Sequence, residues 1–174
     1  VSSTWKPDRW PDGGLQIDCE LFQDNEIIDR VAHEVHVWRP GKEKNFLQVE
    51  NGDFILDGKR WIANGINYMP SSGIAQENWK VFEQWMGPAG YDPEVVQRDL
   101  ERIVDFGFNS ISIFLYHESH RAQNLLDILR RCENLGLKVN LSLRPGTPMD
   151  FRWDEMKDMI EYFRLWEHDT VIAY

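Results

Sequence analysis

No stretch of this chain is apolar for long enough to span a bilayer. The longest such run, around Ile111 to Tyr116, is interrupted by Ser112 and falls well short of the roughly 20 residues a spanning helix needs. Basic residues are few beside acidic ones, 19 against 29, and they nowhere cluster, so the net charge of −10 argues against nucleic acid as a partner. Cysteine is nearly absent. Cys19 stands in a strand-like alternation and Cys132 in a helix-like run, and each reads first as a small buried residue, with a mutual disulfide as the lesser alternative. Neither assigns a compartment, and the start Val1-Ser2-Ser3, with no Met and no signal-type apolar region, leaves localisation unassigned.

Several chemical motifs are missing as well. There is no glycine-rich phosphate loop, no Gly-x-Ser-x-Gly elbow and no Cys-x-x-Cys site, so phosphoryl transfer and serine hydrolysis lose support. His117-Glu118-Ser119-His120 is one residue short of the zinc pattern that puts two imidazoles on one helix face. No metal and no cofactor are expected.

What the chain has in quantity is apolar side chains, 42% of the total and enough to fill a core, and tryptophan. Of eight Trp, five (Trp5, Trp10, Trp61, Trp79 and Trp85) fall in or beside loop-like segments, where aromatic rings suit sugar stacking. The competing reading of each is a filler of large core gaps.

Along the chain, Leu15, Ile17, Cys19 and Leu21 alternate with Gln16, Asp18 and Glu20, the period of a half-buried antiparallel strand. A turn at Gln23-Asp24-Asn25 leads to a second strand from Val31 to Trp38, ended by Pro40-Gly41. A strand pair is only marginally stable alone, so this region reads as the last hairpin of a β-sandwich. Asn51-Gly52 and Asp57-Gly58 predict two tight hairpin turns between Phe46 and Trp61. Four short apolar strands follow, at Trp61 to Asn67, Ser110 to Phe114, Lys138 to Leu143 and Val171 to Tyr174. Helices separate them. The first begins at Asp92-Pro93-Glu94, a cap with Pro at the first helical position, and runs to Phe106; the second ends at Leu135-Gly136; the third spans roughly Trp153 to Trp166. The long connection from Asn67 to about Tyr91 reads as a binding loop.

In parallel βα architectures ligands gather at the carboxyl ends of the strands. That rule selects Asn67 and Tyr68 after the first strand, Tyr116, His117 and Glu118 after the second, and Arg144, Pro145 and Asp150 after the third. Arg144, set directly after an apolar run, needs an anionic or hydroxyl-rich partner, and pairing with a neighbouring carboxylate is an equal alternative. Glu118 and Asp150 could form a carboxylate pair for glycosidic hydrolysis, or could simply be solvated.

With these residues in view, Phe54-Ile55-Leu56-Asp57-Gly58-Lys59-Arg60-Trp61 and Gly65-Ile66-Asn67-Tyr68-Met69-Pro70 resemble the entry into the catalytic barrel of the two-glutamate clan of glycoside hydrolases. Arg98-Asp99-Leu100, Asp105-Phe106-Gly107-Phe108-Asn109, Gly136-Leu137-Lys138-Val139 and Leu143-Arg144-Pro145-Gly146 continue the likeness, the last to β-galactosidase-like members. Where many members carry an Arg on strand two, this chain has Ser112. The resemblance implies an α/β fold: a partial (β/α)8 TIM barrel, strands one to four, over residues 46–174, with an N-terminal β-sandwich remnant of immunoglobulin-like type over residues 1–45. It implies that both catalytic glutamates lie beyond Tyr174, so the chain holds no catalytic residue, is inactive alone, and needs the remainder of the barrel in the same chain or a separate one. The expected function is retaining hydrolysis of β-linked glycosides or polysaccharides, with a carbohydrate substrate as partner. Tyr68, Trp79 and Trp85 are the expected stacking residues, and Asn67, His117 and Arg144 the expected hydrogen-bonding ones. A non-catalytic carbohydrate-binding barrel and a (β/α)8 enzyme of another class are the alternatives.

Overall fold

Strict alternation builds the first element of the chain. In the computed structural model, which describes residues 4–41, 44–73, 81–116, 123–143 and 153–174, β1 (Gly13–Gln23) and β2 (Glu26–Val37) form an antiparallel ribbon. Leu15 faces Val35, Ile17 faces His33 and Cys19 faces Val31, while Gln16 faces Glu34 and Glu20 faces Arg30. One side of the ribbon is therefore apolar and the other polar. Asp24 and Asn25 close it in the left-handed region, at φ 50° and 67°, which short polar side chains tolerate. The ribbon lies in the first of two units, Val1–Arg39 and Pro40–Tyr174.

The second unit opens with a meander, β3 (Gln48–Glu50), β4 (Asp53–Leu56) and β5 (Lys59–Trp61). Both of its turns, Asn51-Gly52 and Asp57-Gly58, carry positive φ at their two central residues, as the mirror-image hairpin turns require. A parallel sheet follows, in the order β6 (Gly65–Asn67), β7 (Ser110–Leu115), β8 (Lys138–Leu143) and β9 (Val171–Ala173). A short helix α1 (Val81–Gln84) lies between β6 and α2 (Pro93–Asp105). The helices α3 (Asn124–Leu135) and α4 (Trp153–Phe163) precede β8 and β9.

Local chemistry sets the helix ends. Asp92 accepts from the backbone N–H of Glu94 at 3.0 Å and of Val95 at 3.1 Å, satisfying donors that the first turn leaves free, and Pro93 occupies the position that needs none. Gly136 ends α3 in the left-handed conformation, and Leu137 N–H then reaches back to the Cys132 carbonyl at 2.8 Å. Val96 and Leu100 of α2, Leu125, Ile128, Leu129 and Cys132 of α3, and Met159 and Phe163 of α4 form one buried cluster with Ile111, Ile113, Leu115, Val139 and Leu141 of the sheet. Removing each such side chain from water contributes about 1.5–3 kcal/mol, so this helix-facing side of the sheet is the principal source of the unit's stability.

The expected partial (β/α)8 barrel is corrected by this arrangement. Among the described residues the strands fall into three separate sheets, β1 to β5 pair antiparallel, and only β6 to β9 pair parallel, in an open sheet with edge strands of three residues each. Among the described residues helices are few: three of 13, 12 and 11 residues beside the short α1. The physical cause is plainest at the run Trp61 to Asn67, read from sequence as one strand. It breaks at Ile62 to Asn64, where Asn109 donates to the Ile62 carbonyl at 2.8 Å and accepts from the Asn64 N–H at 2.8 Å. An amide side chain thus takes the place of a strand neighbour, so Trp61 ends the meander while Gly65 begins the parallel sheet. Of the expected sandwich remnant the hairpin is present as the β1–β2 ribbon, but a sandwich needs two sheets packed face to face, and among the described residues the first unit holds no second sheet. Cys19, expected to be buried, is exposed on it, whereas Cys132 is buried as expected; both are free thiols.

Candidate functional site

The parallel sheet has two unlike faces. Along β7 and β8, Ile111, Ile113, Leu115, Val139 and Leu141 point toward the helices and are buried, so the alternate residues Ser112, Phe114, Asn140 and Ser142 point to the other side, where they are half-buried or exposed. Pairing aligns Asn67 with Ser112 and Ser112 with Asn140, which sets these three side chains in one row across β6, β7 and β8. At the usual strand spacing the row is about 10 Å long. Asn140 Nδ2 donates to Ser112 Oγ at 3.2 Å, and Asn67 and Asn140 remain exposed. One step toward the carboxyl ends, Phe114 pairs with Ser142 on the same face.

The opposite end of this face is closed off. Lys138 donates to the Asp169 carbonyl at 2.8 Å, which holds its charge at the start of β8. Gly65 lies so close to Ser110 that a Cβ there would stand 2.6 Å from Ser110 Oγ, which is why β6 begins with glycine. Among the described residues, the rest of the face carries amides, hydroxyls and one aromatic ring. Each amide offers two donors and an acceptor, and each hydroxyl one donor and two acceptor positions. Such a row can grip a ligand rich in neutral hydroxyls. It holds no acid or base, and among the described residues no group of His, Cys, Asp and Glu is arranged to hold a metal ion.

The shifted ionisable groups lie elsewhere. Burial, reinforced by the neighbouring Asp99, raises the Tyr68 phenol, and burial together with a hydrogen bond to Asp127 raises that of Tyr91. Burial alone would raise the Asp127 carboxyl, but hydrogen bonds from Tyr91, Arg131 and Arg130 outweigh it, so the pKa falls below the ordinary value. Burial pushes the Cys132 thiol up to about 12 and the His168 imidazole down to about 4. None of these groups belongs to the row.

Of the residues singled out from sequence, Asn67 stands in the row. Tyr68 and Trp85 do not. Their rings meet edge to face at 5.7 Å inside the core, 5% and 3% exposed, so in this structure neither offers a face for stacking. Tyr68 alternates away from Asn67 and its hydroxyl faces Asp99 at 3.5 Å. Trp79, His117 and Arg144 lie outside the described residues, as do Glu118 and Asp150. Sequence reasoning missed Ser112, Asn140, Phe114 and Ser142. The signal was present: Ser110-Ile111-Ser112-Ile113 and Lys138-Val139-Asn140-Leu141-Ser142 alternate, whereas a strand buried on both faces reads as a continuous apolar run.

Comparison with protein-family models, curated proteins and solved structures gave no match. Among the described residues, no helix is long and apolar enough to cross a membrane.

Proposed function

We propose that this chain binds a neutral sugar chain along Asn67, Ser112 and Asn140, as part of a protein that hydrolyses β-linked glycosides with retention. The observation that carries the reading is the row itself: uncharged amides and a hydroxyl, in register over about 10 Å, with Asn67 and Asn140 exposed and a half-buried Phe114 beside them. Amides and hydroxyls exchange hydrogen bonds with sugar hydroxyls without the desolvation cost of a buried charge. The sequence likeness to the two-glutamate glycoside hydrolases supports the hydrolytic half of the reading. Retention needs two carboxyl groups about 5–5.5 Å apart. The row offers none, so in this reading the row contributes grip and orientation, and the acid and the nucleophile come from elsewhere in the protein.

Titration with a panel of neutral β-linked oligosaccharides, followed by calorimetry, tests the binding half. Asn140→Ala should weaken the best ligand by about tenfold, the worth of one well-formed hydrogen bond, with the far-ultraviolet circular dichroism unchanged. Equal affinity in wild type and variant would remove the row from the reading. The missing acid in the row favours a second reading, a carbohydrate binder without catalysis. Aryl-β-glycosides separate the two: aglycone released by this chain, or by a longer polypeptide carrying it, supports hydrolysis, and binding with no release by either supports the second reading.

A further inference from the structure

Asp99 lies in α2, is 7% exposed, and sits on the opposite side of β6 from the polar row. A carboxylate so buried must be hydrogen-bonded to persist. Among the described residues, its hydrogen-bond donors come from the few residues after Asn67. It accepts from the Ser71 N–H at 2.7 Å, from Ser71 Oγ at 2.7 Å, and more weakly from the Tyr68 hydroxyl at 3.5 Å. Arg98 donates to Ser71 Oγ at 3.1 Å and lies 3.8 Å from the carboxylate. On the sheet side, the Tyr68 N–H extends the ladder by donating to the Ser112 carbonyl at 2.9 Å. β6 is an edge strand of three residues, so its own ladder is too short to hold it in register unaided. Packing alone would be served as well by an aliphatic side chain. What the carboxylate adds is direction, because its hydrogen bonds fix where the chain leaves the sheet.

We infer that Asp99 is a positioning residue for the carbohydrate row, acting through Ser71 and Tyr68 to set Asn67 beside Ser112; the inference rests on the sugar-binding reading for its purpose and on the clamp for its geometry. The test compares Asp99→Ala, Asp99→Asn and Ser71→Ala in the whole chain, by amide exchange and by the NMR signal of the Asn67 side-chain amide, before any sugar is added. Asp99→Ala should move the Asn67 signal and speed exchange of the Tyr68 amide by about tenfold, leaving Ile113 and Leu141 protected. Asp99→Asn, which keeps an acceptor oxygen for the Ser71 N–H, should restore most of both. With a neutral oligosaccharide the Asp99→Ala affinity should fall by a similar factor. An unmoved Asn67 signal, or exchange rising equally across β7 and β8, would overturn the inference by showing a merely structural acid. Should Asp99→Ala fail to fold, Ser71→Ala, which removes one donor and leaves the carboxylate in place, decides on the same two signals. Should the wild type bind no sugar at all, the proposed function fails, while the ligand-free NMR comparison still decides whether Asp99 positions Asn67.

Discussion

Replacing Asp127 with alanine should destabilise the second unit more than any surface ion pair could. Asp127, on α3, accepts from the Tyr91 hydroxyl at 2.5 Å, from Arg131 Nε at 2.7 Å and from Arg130 Nη2 at 2.8 Å, and Arg131 also donates to Gln97 of α2 at 2.8 Å. The Arg130 and Arg131 side chains are only 25% and 17% exposed, respectively. Removing the carboxylate leaves one hydroxyl and two guanidinium groups without their shared acceptor. Breaking a fully buried pair costs about 3–5 kcal/mol; because Asp127 is 22% exposed, water recovers part of that, and about 2–4 kcal/mol is the working figure. The exposed pair Arg30–Asp18, at 3.4 Å with side chains 57% and 36% exposed, supplies the contrast. Its loss should cost well under about 1 kcal/mol. Urea unfolding followed by Trp fluorescence measures both, and Tyr91→Phe, which deletes one hydrogen bond, should cost about 1 kcal/mol and couple to Asp127→Asn in a double-mutant cycle. The contribution also depends on pH. The folded pKa of Asp127 lies below the unfolded one, so its stabilisation is complete above the unfolded value and is lost as pH falls through the folded one. An Asp127→Ala cost no greater than that of Asp18→Ala at neutral pH would refute the reasoning, since it would mean that water already satisfies the three donors.

Three further outcomes follow from groups outside the row. His168 is 4% exposed and its pKa is pushed down to about 4 by burial, below the ordinary value of 6.5, so the unfolded chain takes up a proton first as pH falls. Stability should be intact above pH 6.5 and decline by up to about 3 kcal/mol between there and pH 4; a urea midpoint that stays level across that window in wild type, or that falls equally in His168→Phe, would count against it. A thiol reagent at pH 8 should label exposed Cys19 promptly and buried Cys132, whose thiol sits at about 12, only on unfolding, as read by mass spectrometry. Gly65→Ala should cost about 1–3 kcal/mol in thermal or urea unfolding, and Ser110→Gly in the same chain should recover part of it, because the new Cβ would stand 2.6 Å from Ser110 Oγ.

Much of the local structure was legible because its causes are near in sequence. The turns at Asn51-Gly52 and Asp57-Gly58, the cap at Asp92-Pro93 and the stop at Gly136 each follow from the backbone preferences of one or two residues. The strand from Trp61 to Asn67 was illegible for the opposite reason. Its break depends on Asn109, which arrives from the far end of α2. Tyr68 and Trp85 share that difficulty, since a ring in a loop-like segment reads as available until the helix that buries it is in place. The barrel expectation extended the order of strands and helices to a closed architecture. Period alone does not fix how sheets divide, and β1 to β5 pair antiparallel, outside the parallel sheet.

The sequence alone determined where the chain turns, which faces of its helices and strands are apolar, and that it carries an excess of acidic charge, because each is a property of residues within about one turn or one strand of each other. Only the tertiary structure decided that the run through Ile62 splits between two sheets, that Asn67, Ser112 and Asn140 stand in one row, and that Asp99 reaches the loop after β6. Those juxtapositions join residues 28 to 47 positions apart. They depend on strand register and helix packing, and no short window of sequence contains both partners.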